Sequence, residues 1–458
     1  MTVTTENLIF AASPSELQDR GKNLRATIAR ESHAEWNAPG NRENPIDILR
    51  KADEHRMPEL VPIRYGRMVA TPFTFFRGAA AVMAADLANT PRTDIRVQAC
   101  GDCHLKNFGG FATPERNIIF DINDFDETLP APWEWDVKRL ATSFVLAVRD
   151  NGLPRSVAKE SAQIVAESYR KSIRAFAKLD PLALWYEKID AQSFVEEAPE
   201  SIRGMVEARI EKAMARRGSA VDYPKLAQVV HGEIRIKDAP PLIFHPEFAA
   251  ADTFKKQAES ILRDYRETLT GERKVLFDRF RFVDAAIKVV GIGSVGTRCW
   301  VALLMSSDNT PLFLQLKQAG PSVMEPYAGK SVYPNNGQRV VMGQRLMQAA
   351  SDIFLGWTTG PAGDLYVRQL RDAKISPMIE NFDETMFTAY ARACGRNLAR
   401  AQAKSGNAWA IRGYLGKSDA FDIAIASFAK SYADQTEVDH AELKRQVQAG
   451  MVEALQEQ

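Results

Sequence analysis

A chain of 458 residues with 45% hydrophobic and 26% charged side chains has the makeup of a globular protein with more than one core, not of a disordered one. Its 59 basic and 58 acidic residues leave a net charge of +1, which excludes a global field drawing it to nucleic acid or an anionic membrane. Four cysteines are too few for a disulfide framework.

The N-terminal segment through Arg25 lacks the basic, apolar and small-residue succession of a secretory signal. The apolar run Cys299–Met305 is far shorter than the roughly 20 residues of a membrane span. The expectation is a cytoplasmic protein with neither nucleic-acid nor membrane partners.

Along the chain, Ser13-Pro14-Ser15-Glu16 spells a capping box and predicts a helix to about Ala29. Residues 33–48 read as loop, and Ile46 to Ala88 as helical with a break at Thr71-Pro72. Ile95–Ala99 alternates like a short strand, residues 108–117 read as loop, and Ile118–Phe120 as a second strand. Asp136 opens a helix with Val137, Leu140, Ala141, Phe144, Val145 and Val148 on one face. Gly152 and Pro154 close it.

Residues 155–273 read as mostly helical, looser around Pro240, Pro241 and Pro246. The strongest β region follows, with strands at Phe282–Val290, Thr297–Met305 and Leu312–Lys317. A helix over Gln338–Ala350, its core face read as Met342, Leu346 and Ala349, leads to short strands at Ile353–Trp357 and Leu365–Leu370. Helices run from there to the end. The expected class is α+β.

Two constellations carry chemistry. The first is Cys100-Gly101-Asp102-Cys103-His104-Leu105-Lys106-Asn107, followed by Phe120-Asp121-Ile122-Asn123-Asp124-Phe125-Asp126-Glu127. Phosphoryl transfer needs a carboxylate at the attacking hydroxyl and oxygen ligands for Mg²⁺. Asp102 and Asn107, five residues apart on one loop, can address opposite sides of a transferring phosphate, and the second acidic loop completes a cage. Read alone, these clusters are equally surface turns. The second constellation is Gly291-Ile292-Gly293-Ser294-Val295-Gly296 between two predicted strands, with Lys317 on the next one. Glycines let backbone amides approach phosphates, and the lysine can reach them. A strand follows these glycines where a dinucleotide fingerprint requires a helix, so a glycine-rich hairpin is the plain alternative.

Cys100-x-x-Cys103-His104 also spells a haem-attachment motif and a thiol redox pair. Haem needs export, zinc needs two further ligands, and no helix start is evident to depress the Cys100 thiol. Arg77 and Arg139 suit phosphate or carboxylate contacts, with an internal salt bridge favoured for Arg139. Trp133 and Trp135 are expected to pack on the following helix, and Arg209–Arg217 reads as a solvated helix face.

Asp102, Asn107 and Asp124 together resemble the catalytic and metal loops of kinase-like phosphotransferases of the aminoglycoside and choline kinase type. Asp136 resembles the aspartate that opens the helix after the metal loop, and Gly291–Lys317 the small lobe's glycine loop and third strand. From about Phe73 onward the chain also resembles the bacterial family catalogued as domain of unknown function 2252. That resemblance rests on Phe73-Thr74-Phe75-Phe76-Arg77-Gly78, Gly291–Thr297 and Gly343–Asp352.

The kinase resemblance implies a two-lobed fold, circularly permuted because the glycine loop follows the catalytic aspartate. A largely helical large lobe would be joined to a small antiparallel β lobe. It divides the chain into an N-terminal helical extension (1–60), a first part of the large lobe (61–278), the β lobe (279–375) and closing helices (376–458). The helix Phe387–Ala403 would run into the catalytic loop, placing the segment after Ala403 beside the one leading to Ile95.

The resemblance further implies ATP and Mg²⁺ as cofactors and a small-molecule or protein hydroxyl as acceptor. Asp102 would be catalytic. Asn107 and Asp124, with Asp126 or Asp121, would hold metal, while Gly291, Gly293, Ser294, Gly296 and Lys317 would hold nucleotide. Departures are Cys100 where those kinases carry His, Gln318 and Gln402 at two further family positions, and no glutamate on the helix after Lys317. Glu325 is a substitute partner for the lysine. These departures keep a nucleotide-binding pseudokinase open as an alternative. AMP transfer on the same cage and a CxxC redox protein are further ones.

Overall fold

The computed structural model describes residues 12–455 apart from 216–218, 241, 246–247, 290–294, 362 and 371–373. Five short helices come first: α1 (Pro14–Asn23), α2 (Pro45–Asp53), α3 (Val61–Met68), α4 (Pro72–Gly78) and α5 (Ala80–Leu87). Strands β1 (Arg96–Ala99), β2 (Phe108–Ala112), β3 (Ile118–Ile122) and β4 (Leu129–Pro132) lead into α6 (Trp133–Asp150) and α7 (Arg155–Phe176). Next come α8 (Pro181–Tyr186), β5 (Ile189–Asp190), α9 (Ala191–Glu197), α10 (Glu200–Met214) and α11 (Ser219–Leu226). They are followed by β6 (Ala227–Val230), β7 (Glu233–Ile236), β8 (Ile243–Phe244), α12 (Phe248–Glu267) and α13 (Gly271–Phe277).

The main sheet draws on β9 (Phe280–Lys288), β10 (Cys299–Ser306), β11 (Pro311–Gln318), β12 (Gly356–Gly360) and β13 (Gly363–Gln369), with α14 (Glu325–Ala328) and α15 (Asn336–Met347) inserted. Helices α16 (Glu384–Ser405), α17 (Ala408–Leu415) and α18 (Ala420–Gln448) close the chain. The class is α+β. No helix among the described residues is long and apolar enough to cross a membrane.

The largest core forms around α6, which is buried from Trp133 to Val148. Its charged residues survive there because each has a partner, as buried charge demands. Glu134 accepts from Thr93 N (2.7 Å), and Lys138 Nζ donates to Thr90 (2.9 Å). Trp133, expected to precede this helix and pack on it, instead lies within it, stacks on Tyr169 of α7 at 5.4 Å and contacts Phe421 of α18.

The six-stranded antiparallel sheet runs β12-β13-β11-β10-β9-β8. Strand alternation gives it two characters. Leu304, Leu314, Leu316 and Val367 pack on Leu262, Tyr265 and Phe277 of α12 and α13. On the opposite face, pairing aligns Cys299 with Lys317, Gln315 with Arg368 and Lys317 with Tyr366.

Several sequence expectations need correction. The first helix keeps its capping box but ends at Asn23, not Ala29. Beyond it Arg25 donates to Tyr414 O (2.7 Å) and Arg30 to Leu415 O (3.0 Å), tying the chain to the end of α17. Helix α2 starts inside the expected loop because Asn44 caps it and Pro45 presets its first turn. Residues 108–112 form a strand, not a loop, paired with β3. Helix α6 begins three residues before Asp136, and the described residues of segment 155–273 include four short strands. The buried face of α15 is Val340, Gly343, Gln344 and Met347, with Met342 and Leu346 only partly covered. At the far end, α16 abuts β1: a Cβ on Gly406 would stand 2.5 Å from Val97 Cγ1.

Candidate functional site

Two loops meet above the start of α6. The first, residues 100–107, leaves β1; the second, 123–128, leaves β3. Gly101 has φ +81°, and a Cβ there would lie 2.6 Å from Glu127 O, so only glycine allows this approach. Asn123 N donates to Asn107 O at 2.8 Å and fastens one loop to the other.

Asp136 anchors the first loop from below, accepting from Cys100 N (2.9 Å), Gly101 N (3.1 Å) and Gln402 Nε2 (3.3 Å). Burial raises its pKa, and these hydrogen bonds oppose the rise. The carbonyl of Asp102 accepts from Asn107 Nδ2 at 2.8 Å and from His104 N at 2.9 Å. The Asp102 side chain, 17% exposed, is gripped by Arg139, whose Nε lies 2.8 Å from Oδ1. The internal salt bridge expected for Arg139 is therefore made with Asp102. His104 Nε2 stands 3.7 Å from the other oxygen. Burial drives the His104 pKa down to about 3, so the ring is neutral. Arg77 lies within electrostatic reach of the same carboxylate.

In the second loop Asp124 accepts from Asp126 N at 3.1 Å. Burial and the neighbouring Asp126 raise the Asp124 pKa. Burial also works to raise that of Asp126, but Lys317 and Tyr366 outweigh it and hold the carboxyl below the usual range. Lys317 Nζ is ion-paired to Asp126 Oδ2, and Tyr366 Oη donates to Oδ1 at 2.8 Å. Arg339 of α15 clamps the loop through the carbonyls of Asp126 (2.8 Å) and Thr128 (2.7 Å), and reaches Gly320 O (2.8 Å). Glu127 is pushed up to about 7, chiefly by burial.

Asp102, Asn107, Asp124, Asp126 and Lys317 thus come together from segments about 200 residues apart in the chain. Gly296 has φ +88°; its carbonyl accepts from Met57 N (2.7 Å), and Arg56 packs on it while feeling the charges of Asp126 and Glu127. Gly291, Gly293 and Ser294 lie outside the described residues. Asp121 is fully buried, paired with Arg400 at 2.7 Å and accepting from Ala349 N at 2.8 Å, so its carboxylate is engaged away from the lysine. Glu325 makes no ion pair with Lys317, whose partner is Asp126. Sequence reasoning missed Arg339, Tyr366, Glu127 and Arg56. Tyr366 lies on the same sheet face as Lys317, but its register opposite the lysine is not written locally.

The oxygens gathered here are hard donors: the Asn107 amide oxygen and the Asp124 and Asp126 carboxylates. That set suits Mg²⁺. Cys100, Cys103 and Asp136 also place their donor atoms within 4.8 Å of one another. There, however, both Asp136 oxygens already accept backbone amides. Both thiols are buried, and burial lifts Cys100 well above its ordinary value and Cys103 to about 11, which leaves them poor nucleophiles.

This is an α+β protein with an acid, amide and lysine cluster where its main sheet meets its helical core. The chain belongs to the bacterial family described as "Uncharacterized protein conserved in bacteria (DUF2252)", which matches residues 56–446. No curated protein matches it. No solved structure matches it either.

Proposed function

We propose that the protein is an ATP- and Mg²⁺-dependent phosphotransferase with a circularly permuted kinase-like fold, acting on a hydroxyl acceptor. One observation carries the reading. Lys317, from the main sheet, meets Asp126 beside Asp124, on a loop hydrogen-bonded to the one bearing Asp102 and Asn107. The abutment of α16 on β1 supports the permuted chain order, since it places a helix directly before the loop-bearing strand.

In this reading Asn107, Asp124 and Asp126 hold Mg²⁺, which neutralises charge on the nucleotide phosphates. Lys317 contacts the phosphates. Asp102, held in orientation by Arg139, accepts the proton of the acceptor hydroxyl as its oxygen attacks the γ-phosphorus and the bond to the β–γ bridging oxygen breaks. Asp136 keeps the Asp102 loop in place through the Cys100 and Gly101 amides. Catalysis rests on positioning and charge neutralisation.

A second reading, a nucleotide-binding protein without turnover, is favoured by the pairing of Lys317 with Asp126 instead of a helix glutamate. Calorimetry of ATP binding with and without Mg²⁺ on the wild type, Asp124→Ala and Lys317→Ala tests both. Mg²⁺-dependent binding lost in the two variants supports a nucleotide site. No binding by the wild type at millimolar ATP sinks both readings. Asp102→Asn separates them: turnover lost with binding retained supports the enzyme.

A further inference from the structure

A cavity of about 250 Å³ opens between β2–β3, α9–α10 and the start of α16. It exceeds the roughly 150 Å³ at which an apolar cavity stays dry and takes up benzene. Ile119, Phe120, Phe194, Ile202 and Met386 are among its largely apolar walls. Its polar members are few. Tyr390 Oη is engaged by Leu105 O and Phe108 O, each at 3.0 Å. Glu197 is ion-paired with Arg396.

Arg209 and Arg392 also line the cavity, and neither forms a salt bridge among the described residues. Glu380, the carboxylate whose pKa Arg209 helps to lower, is paired with Lys106 at 3.2 Å. Arg392 is exposed and helps to lower the pKa of Glu167, which is itself paired with Lys171. An apolar chamber with two guanidiniums that hold no ion pair of their own among the described residues complements a molecule with a hydrocarbon tail and one negative head.

We infer that this cavity is a binding site for a single-chain anionic amphiphile of the medium-chain carboxylate class. The inference is independent of the nucleotide reading, because it uses none of Asp102, Asn107, Asp124, Asp126 or Lys317. The tail lies against the Phe120 and Phe194 wall, and Arg209 and Arg392 take the head.

Calorimetric titration of the full chain with octanoate, nonanoate, decanoate and uncharged decanol tests it. One saturable site per chain is expected, tightening about fourfold per added methylene until the cavity is full. Arg209→Gln combined with Arg392→Gln should weaken decanoate at least tenfold and leave decanol unchanged. Ala389→Trp, from α16, and Ile202→Phe, from α10, fill the chamber from two sides and should each abolish binding while circular dichroism stays that of the wild type. Two results would overturn the site: no saturable decanoate binding by the wild type, or binding that survives whichever filling variant folds. Equal affinities for decanoate and decanol would overturn its anionic specificity.

Discussion

Removing the Lys317 ammonium tests whether the acidic loop depends on charge from the distant sheet. The Lys317 side chain is 5% exposed and that of Asp126 is 26% exposed. Breaking a fully buried ion pair by deleting one partner costs about 3–5 kcal/mol, and the solvent reaching Asp126 reduces this to about 2 kcal/mol. Lys317→Met should lose that amount, because Asp126 then faces Asp124 without its counter-charge. Asp126→Asn should lose a similar amount by stranding the lysine. The double variant, with neither charge, should recover a coupling energy of about 1–2 kcal/mol.

Urea denaturation followed by circular dichroism gives all four stabilities. The acid limb supplies a second readout. Asp126 is held below its ordinary pKa, so its contribution is complete above its unfolded value and disappears as pH falls through the folded one. Lys317→Met should flatten that part of the pH profile. Single-variant losses that add to within about 0.5 kcal/mol in the double variant would refute the pairing.

Two further perturbations probe the same region. Glu127 has a folded pKa of about 7 against an ordinary 4.5, so wild-type stability rises as pH falls from 7 toward 4.5. Relative to Glu127→Gln, the wild type should gain about 2 kcal/mol over that interval, after allowance for its partial exposure; parallel urea series at several pH values measure the difference. A Cβ on Gly343 would lie 2.4 Å from Thr128 Cγ2. Gly343→Ala should therefore cost about 1–3 kcal/mol by overpacking and lower the thermal midpoint.

Much of the architecture was legible because its signals are local. The Ser13 cap, the break at Thr71-Pro72, the alternating runs around Lys317 and the loops holding Asp102, Asn107 and Asp124 all announce themselves within a few residues. The errors arise where distant chain supplies the reason. The glycine-rich stretch Phe108–Ala112 looks like loop until it pairs with β3, and Gly110 bridges to Ile375 on the way back from the sheet. Asp121 has the composition of a metal ligand, yet Arg400, 279 residues on, takes its charge into the core. Arg339 reads as an ordinary helix cation because its partners are carbonyls of other segments.

Glu325, the substitute partner considered for Lys317, is not the residue that pairs with it. The lysine's counter-charge comes instead from Asp126, one of the residues proposed to hold Mg²⁺. Lys317 and Tyr366 engage both Asp126 oxygens, whereas Asp124 has one oxygen on the Asp126 amide. On the proposed reading Asn107, Asp124 and Asp126 would hold the metal, and Lys317 would contact the nucleotide phosphates. Nucleotide and metal would then be expected to bind together, phosphate compensating Lys317 and metal compensating Asp126. Either ligand alone leaves a charge unmatched in a site where such charges are costly.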